Sequence, residues 1–297
     1  MNYNQLIKNK NILITGGSGF VGSHLAKKLY ENKNKVYVLD NYFTGKIQNH
    51  HLGVIYKKGE TKDIFKFYKN KPLDYIFHLG EYSRVEQSFE DIDLVMNYNL
   101  YPFYQVLKLA SYHNAKLIYS GSSTKFAKNL DTVESPYSFT KKINTYLLIK
   151  YADWFNVKYA ITYFYNVYGK REIKVGKYAT LIGIFQEQMK NSKPLTIVRP
   201  GSQRRNFTNI DDITAALDLI GEKGFGDNFG IGNPSSYSVD EIADLFGGKK
   251  KYIPERKGNR MDSSVNIRKT LDLGWSPKYS IEDYVAHLKA NQWKQLG

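Results

Sequence analysis

Two short patterns in this sequence place reactive groups at spacings that chemistry can use. In Thr15-Gly16-Gly17-Ser18-Gly19-Phe20-Val21-Gly22, glycines stand at 16, 19 and 22. Glycine there permits a sharp turn and lets backbone N–H groups approach a pyrophosphate, whose charge is favoured at a helix N-terminus. Asp40 follows Gly22 by 18 residues, where a carboxylate accepts the hydroxyls of an adenosine ribose. No arginine comes directly after Asp40, which favours NAD over its 2′-phosphorylated form. A plain strand-to-helix turn also favours glycine, so the pattern takes its meaning from the apolar run NILIT before it and the helical stretch after it.

The second pattern is Ser135-Pro136-Tyr137-Ser138-Phe139-Thr140-Lys141. Ser135 suits a helix N-cap and Pro136 the first helical turn, so Tyr137 and Lys141, four apart, share one face. An ammonium beside a phenol stabilises the phenolate, and the positive ring of a nicotinamide adds to the effect. Together they draw a group whose ordinary pKa is about 10 towards the working range of a general base. In a chain with 25 tyrosines the pair alone says little, and an exposed helix face would produce it too. Its position adds weight, because the preceding apolar run ends in Tyr119-Ser120-Gly121-Ser122-Ser123-Thr124. That run puts hydroxyls at the carboxyl end of a strand, where ligands bind in parallel sheets.

These motifs need a scaffold, and the alternation of apolar runs with helical patterns supplies one. Candidate strands cover 11–15, 35–40, 53–58, 73–80, 115–120 and 158–164, with helical stretches between them. Strand, helix, strand repeats predict an α/β fold, a Rossmann-type doubly wound parallel sheet covered on both faces. After about residue 166 the order is less regular: helices near 178–191, 211–221 and 280–293 and a strand at 195–198. The expected division is a dinucleotide-binding domain over 1–165 and a smaller, mixed α/β substrate-binding lobe over 166–297. Segments around 207–232 are expected to return to the first domain.

The 297 residues carry 43 Lys and Arg against 28 Asp and Glu, a net charge of +15. The cations are scattered, the longest basic run is Lys249-Lys250-Lys251, and no nucleic-acid-binding motif accompanies them, so nucleic acid is not the expected partner. A positive field would instead attract a diphosphate-bearing substrate. Absence of cysteine excludes disulfides, thiolate metal sites and a Cys nucleophile, and no metal is expected. No apolar segment reaches the ~20 residues that span a bilayer, and MNYNQLIKNKNILIT has no leader-like apolar run, so a cytoplasmic protein away from membranes is expected.

With both motifs placed, the chain resembles the extended short-chain dehydrogenase/reductase family, and within it the nucleotide-sugar epimerases and dehydratases of the UDP-glucose 4-epimerase type. The likeness runs end to end. Asp40-Asn41-Tyr42-Phe43-Thr44-Gly45 is similar to the family's D-N-x-x-T-G segment around the adenosine, and Gly59-Glu60-Thr61 stands where the family has Gly-Asp. Asp74 to Gly80 resembles the strand whose end, Leu79-Gly80, faces the nicotinamide ribose, and Asn99 matches an Asn on the next helix. Asn166-Val167-Tyr168-Gly169 resembles N-V-Y-G beside the sugar diphosphate. Gly201 to Phe207 resembles G-x-x-x-R-D-F, and Pro254 to Asn259 resembles P-x-R-x-G-D.

The resemblance implies NAD held by Gly16, Gly19, Phe20, Val21, Gly22, Asp40, Asn41, Thr44, Gly45, Glu60, Thr61, Leu79, Gly80, Asn99, Tyr137, Lys141 and Tyr165. It implies a substrate nucleotide diphosphate sugar held by Ser122, Asn166, Ala179, Arg205 and Arg256, and a homodimer built on the helices bearing Asn99 and Tyr137. Tyr137 would take the proton from a sugar hydroxyl, commonly at C4, with Lys141 and either Ser122 or Ser123 assisting. A 4-keto reductase would use the same groups. Family dehydratases carry an acid/base carboxylate just after the catalytic hydroxyl, whereas Ser122 is followed by Ser123, Thr124 and Lys125. The run Gly80-Glu81-Tyr82-Ser83-Arg84-Val85 departs from the family's small residues beside the hexose. The expected role of Arg84 is a bridge to Glu81 or an exposed acid; the alternative is an ion pair with an acidic group on the substrate.

Overall fold

The structure, a computed structural model, describes residues 7–123, 134–255 and 265–294. The chain begins with β1 (Asn11–Thr15), α1 (Phe20–Glu31), β2 (Lys35–Asp40) and β3 (Ile55–Lys58), followed by α2 (Ile64–Tyr68) and β4 (Tyr75–His78). Next come α3 (Ile92–Asn99), α4 (Tyr101–His113), β5 (Lys116–Ser120), α5 (Pro136–Phe155) and β6 (Tyr159–Phe164). Along these strands successive residues face opposite ways. Leu13, Ile76, Leu117, Tyr119 and Ile161 enter one core with Phe103, Leu107 and Leu148. Ile12, Ile14, Phe77, Ile118 and Ala160 enter another with Leu25, Leu29, Leu217 and Ile220. Apolar on both sides, these strands must lie between two helical layers.

The remaining elements are β7 (Val167–Tyr168), α6 (Leu181–Lys190), β8 (Leu195–Val198), β9 (Arg204–Asn206), β10 (Thr208–Asn209), α7 (Ile210–Lys223) and β11 (Gly226–Ile231). After them come β12 (Ser236–Ser238), α8 (Val239–Phe246), β13 (Lys250–Ile253), α9 (Arg268–Asp272) and α10 (Ile281–Ala290). The main sheet runs β11-β6-β5-β4-β1-β2-β3, with every neighbouring pair parallel. This is the doubly wound α/β fold that the alternation predicts, with β11 as a seventh strand against β6. The Lys116 ammonium donates to the Gly221 carbonyl at 2.6 Å, so β5 caps the C-terminal end of α7. Away from the sheet, Tyr168, Phe185, Leu195, Ile197, Phe246 and Val285 form a third core around three two-stranded pairings.

Strand order reverses between β1 and β4, and ligands bind in such sheets beyond the carboxyl ends of the strands at that switch point. Gly16, after β1, has φ +70°, and a Cβ there would lie 2.8 Å from Gly80 Cα, after β4. The two loops thus meet at the crevice. Helix α5 begins at the same end of the sheet. Ser135 is its N-cap and Pro136 opens its first turn, as the spacing of 135–141 predicts; Ser135 and Ser138 also form a reciprocal capping box, and Asn156 ends the helix at φ 52°.

Candidate active site

The crevice opens into a cavity of about 510 Å3. Helix α1 starts there from Gly19 without a side-chain cap. Its first turn therefore presents backbone N–H groups with no intrahelical acceptor. The Gly16 amide is tied to the Leu39 carbonyl at 2.9 Å and the Gly19 amide to the Gly16 carbonyl at 3.1 Å. At Gly22 a Cβ would overlap the Gly16 carbonyl oxygen, so only glycine lets the helix start this close to the turn. Asp40 accepts from the Ser18 amide at 2.8 Å and the Tyr42 amide at 2.7 Å. Burial pushes its carboxyl above the usual value, against the pull of those two bonds. Asn41 donates to Glu60 at 3.2 Å, and with Thr44, Gly45 and Thr61 these residues line the same end of the cavity. A glycine turn, an open helix N-terminus and a carboxylate at the end of β2 suit a dinucleotide.

At the reaction end, Tyr137, Lys141, Ser122 and Ser123 line the cavity together with Leu79 and Gly80. Lys141 Nζ donates to the Ser120 carbonyl at 2.6 Å and forms an ion pair with Glu81 Oε2 at 2.5 Å, the two side chains being 4% and 1% exposed. Glu81 also accepts from Tyr119 Oη at 3.1 Å and Asn144 Nδ2 at 2.9 Å, and lies 3.2 Å from His78 Nε2. The other ring nitrogen of His78 is 2.7 Å from Thr15 Oγ1. Burial pushes Glu81 up, but Lys141 and His78 outweigh it and hold the carboxyl below its ordinary range. The sequence marked Glu81 only as a bulky, charged departure from the family's small residues and as an expected partner of Arg84. Its partners come from β4, β5 and α5, and no local pattern announces them.

The structure corrects the expectation for Arg84. Its Nε and Nη2 donate to the Tyr178 carbonyl at 3.0 and 2.6 Å, and Nη1 to the Ser83 carbonyl at 3.0 Å. Glu81 is taken by Lys141 instead, because the strand end turns Glu81 inward beneath α5 while Arg84 lies further along the loop. A second feature missed in the sequence holds that loop: Asp91 accepts from Tyr82 Oη and Tyr178 Oη, each at 2.8 Å, and pairs with Lys177 at 2.8 Å. Tyr178 and Tyr82 also pack around Phe43, with ring centroids 5.2 and 6.2 Å away.

Tyr165, Asn166, Ala179 and Arg205 also line the cavity. The Tyr165 hydroxyl accepts from the Asn266 amide at 3.2 Å, and Asn166 Nδ2 donates to the Asn206 carbonyl at 3.0 Å. Asn99 stands behind the wall rather than on it. Fully buried, it accepts from the Tyr82 amide at 2.8 Å and donates to Thr140 at 3.0 Å, so it holds the Glu81-Tyr82 segment in place. Arg256 lies outside the described residues. All other residues expected at the site line this one cavity.

Comparison with known proteins agrees with this fold. A putative UDP-glucose 4-epimerase of Methanocaldococcus jannaschii is 28% identical over 292 residues, covering 92% of this chain and 95% of that protein. UDP-glucuronic acid decarboxylase 5 of Arabidopsis thaliana is 28% identical over 320 residues, covering 97% and 91%. The crystal structure of UDP-glucose 4-epimerase from Thermotoga maritima, solved with UDP-glucose, matches with a TM-score of 0.86 and 28% identity over 95% of this chain and 99% of that one. The model of the NAD dependent epimerase/dehydratase family matches residues 12–232, a stretch that contains the glycine turn, Asp40, Tyr137 and Lys141. The chain belongs to the NAD dependent epimerase/dehydratase family, with NAD as its cofactor.

Proposed function

We propose that the protein epimerises a nucleotide-linked sugar at C4, through a transient 4-keto sugar, with Tyr137 as the general base. The observation that carries this reading is the meeting of Tyr137, Lys141 and Ser122 with the glycine turn in one cavity. Tyr137 takes the proton of the C4 hydroxyl and returns it after the sugar turns over. Ser122 or Ser123 hydrogen-bonds the same oxygen, and Lys141, fixed by Glu81 and the Ser120 carbonyl, holds its charge beneath the phenol. Bound NAD supplies a reversible hydride acceptor. Asn166, Ala179, Arg205 and Arg256 hold the nucleotide diphosphate, for which guanidinium forks are suited. Dehydration or decarboxylation is less well served. No carboxylate comes directly after Ser122, where Ser123, Thr124 and Lys125 stand, and both oxygens of Glu81 are committed to Lys141, Tyr119, Asn144 and His78. Relatives named as UDP-glucose 4-epimerases support the reading and point to UDP-sugars.

Residues 1–165, joined by 207–232, form the cofactor domain in this account, and the rest forms the substrate lobe. A homodimer on the helices bearing Asn99 and Tyr137, α3 and α5, is part of the same reading; exposed Tyr146 and Trp154 on α5 support it, and exposed Tyr101 and Tyr112 extend the face to α4. Absence of cysteine fits the cytoplasm, and among the described residues no helix is long and apolar enough to cross a membrane. The test is direct. Protein purified without added cofactor should release NAD on denaturation, and with UDP-hexoses should show no net change in absorbance at 340 nm while the sugar changes configuration. Consumption of NADH only when a 4-keto nucleotide sugar is supplied would replace the epimerase with a reductase.

A further inference from the structure

Arg84 lines the cavity with Tyr137 and is mostly buried. Its hydrogen-bond partners are the Tyr178 carbonyl, the Ser83 carbonyl and the Ser83 hydroxyl, the last at 3.3 Å. All are neutral. Among the described residues no carboxylate forms an ion pair with it; of the acids close by in the chain, Glu81 is committed to Lys141, and Glu90 and Asp91 to Lys177, and Glu86 is not free either. Burial pushes the guanidinium below its ordinary value, and the groups acting against that are the phenols of Tyr137, Tyr82 and Tyr178.

A buried cation without a counter-ion costs free energy unless an anion arrives with the ligand. Two carbonyls already fix the plane of this guanidinium; of its five N–H groups one on Nη2 is free, and a planar, bidentate acceptor would take it together with the Nη1 N–H that makes only the 3.3 Å bond to the Ser83 hydroxyl. Its place is also informative. It lines the same cavity as Tyr137, the base of the proposed reaction, and the charge of that phenol acts on it, which puts it towards the sugar end. In the proposed function the cofactor pyrophosphate belongs to the glycine turn, and the substrate diphosphate to Arg205. Resting on the proposed activity, we infer that Arg84 recognises an acidic group on the sugar, and that the preferred substrate is a nucleotide-linked sugar carrying a carboxylate.

Calorimetric titration of the NAD-loaded enzyme with UDP, UDP-glucose and UDP-glucuronic acid tests this. The wild type should bind UDP-glucuronic acid about tenfold or more tighter than UDP-glucose, as a charge-assisted pair requires. Arg84→Gln should bring that ratio to about one while UDP binding holds, and Arg84→Lys, which keeps the charge but loses the fork, should fall between. Equal weakening of all three ligands in Arg84→Gln would make Arg84 a diphosphate ligand or a mere tie to the Tyr178 segment, and overturn the inference. So would a wild type with no preference, a result that needs no variant to fold. Failure of UDP itself to bind would sink the nucleotide-sugar reading, whereas UDP binding without carboxylate preference would sink only the role of Arg84.

Discussion

Removing one member of a buried ion pair leaves the other charged and unpaired, and Glu81 is the residue here whose replacement does that beside the reactive phenol. Glu81→Gln should cost about 3–5 kcal/mol of stability at neutral pH. Because the folded protein holds this carboxyl below its ordinary value of 4.5, its contribution is fully present above that value. It is lost as pH falls through the lower, folded one. Thermal unfolding should therefore separate wild type from Glu81→Gln widely at pH 7 and progressively less in acid. Activity should move as well: with Lys141 uncompensated, its field at Tyr137 strengthens, and the acid limb of the kcat/KM profile should shift to lower pH. A role for Glu81 in packing alone would lower stability and leave that limb in place.

At the scale of elements, the seat of the chemistry is the approach of α1 to the turn after β1. Gly22→Ala would force a methyl onto the Gly16 carbonyl oxygen, so the turn or the helix must shift. The variant should be purified with far less NAD than the wild type, measured as cofactor released on denaturation; full retention would show that the turn is not the pyrophosphate seat. Much of this level was legible in the sequence, because glycine spacing, the Ser135-Pro136 helix start and strand alternation are local signals. Strand ends were less so. Apolar residues run on to Gly80, but the β4 ladder stops at His78, where Thr15 Oγ1 takes over the Gly80 amide at 3.1 Å. The partners of Glu81, Arg84 and Asp91 were not legible, since they lie up to 94 residues away and depend on how loops from separate elements close over the cavity.

At the scale of the molecule, the outer faces of α4 and α5 carry large apolar groups that the described residues do not cover. Tyr101, Tyr112, Tyr146 and Trp154 are each more than half exposed, and the two helices pack together, with the Tyr104 and Tyr151 rings 6.4 Å apart. A contiguous apolar face of this kind marks an interface, and a two-fold pairing would bury both copies at once. Sedimentation should give twice the chain mass, and Ile143→Asp with Tyr146→Asp should give the monomer. A wild type that sediments as a monomer would leave that face without the proposed partner.

The central claim is that C4 is inverted by internal removal and return of its own hydrogen as hydride. The measurement that tests it most directly is proton NMR of the reaction run in D2O with UDP-glucose and with UDP-glucuronic acid. The account predicts interconversion of the C4 epimers with protium retained at C4, since the hydride never meets solvent. Deuterium at C4, a pentose formed by loss of C6, or no change of configuration with either sugar would contradict it.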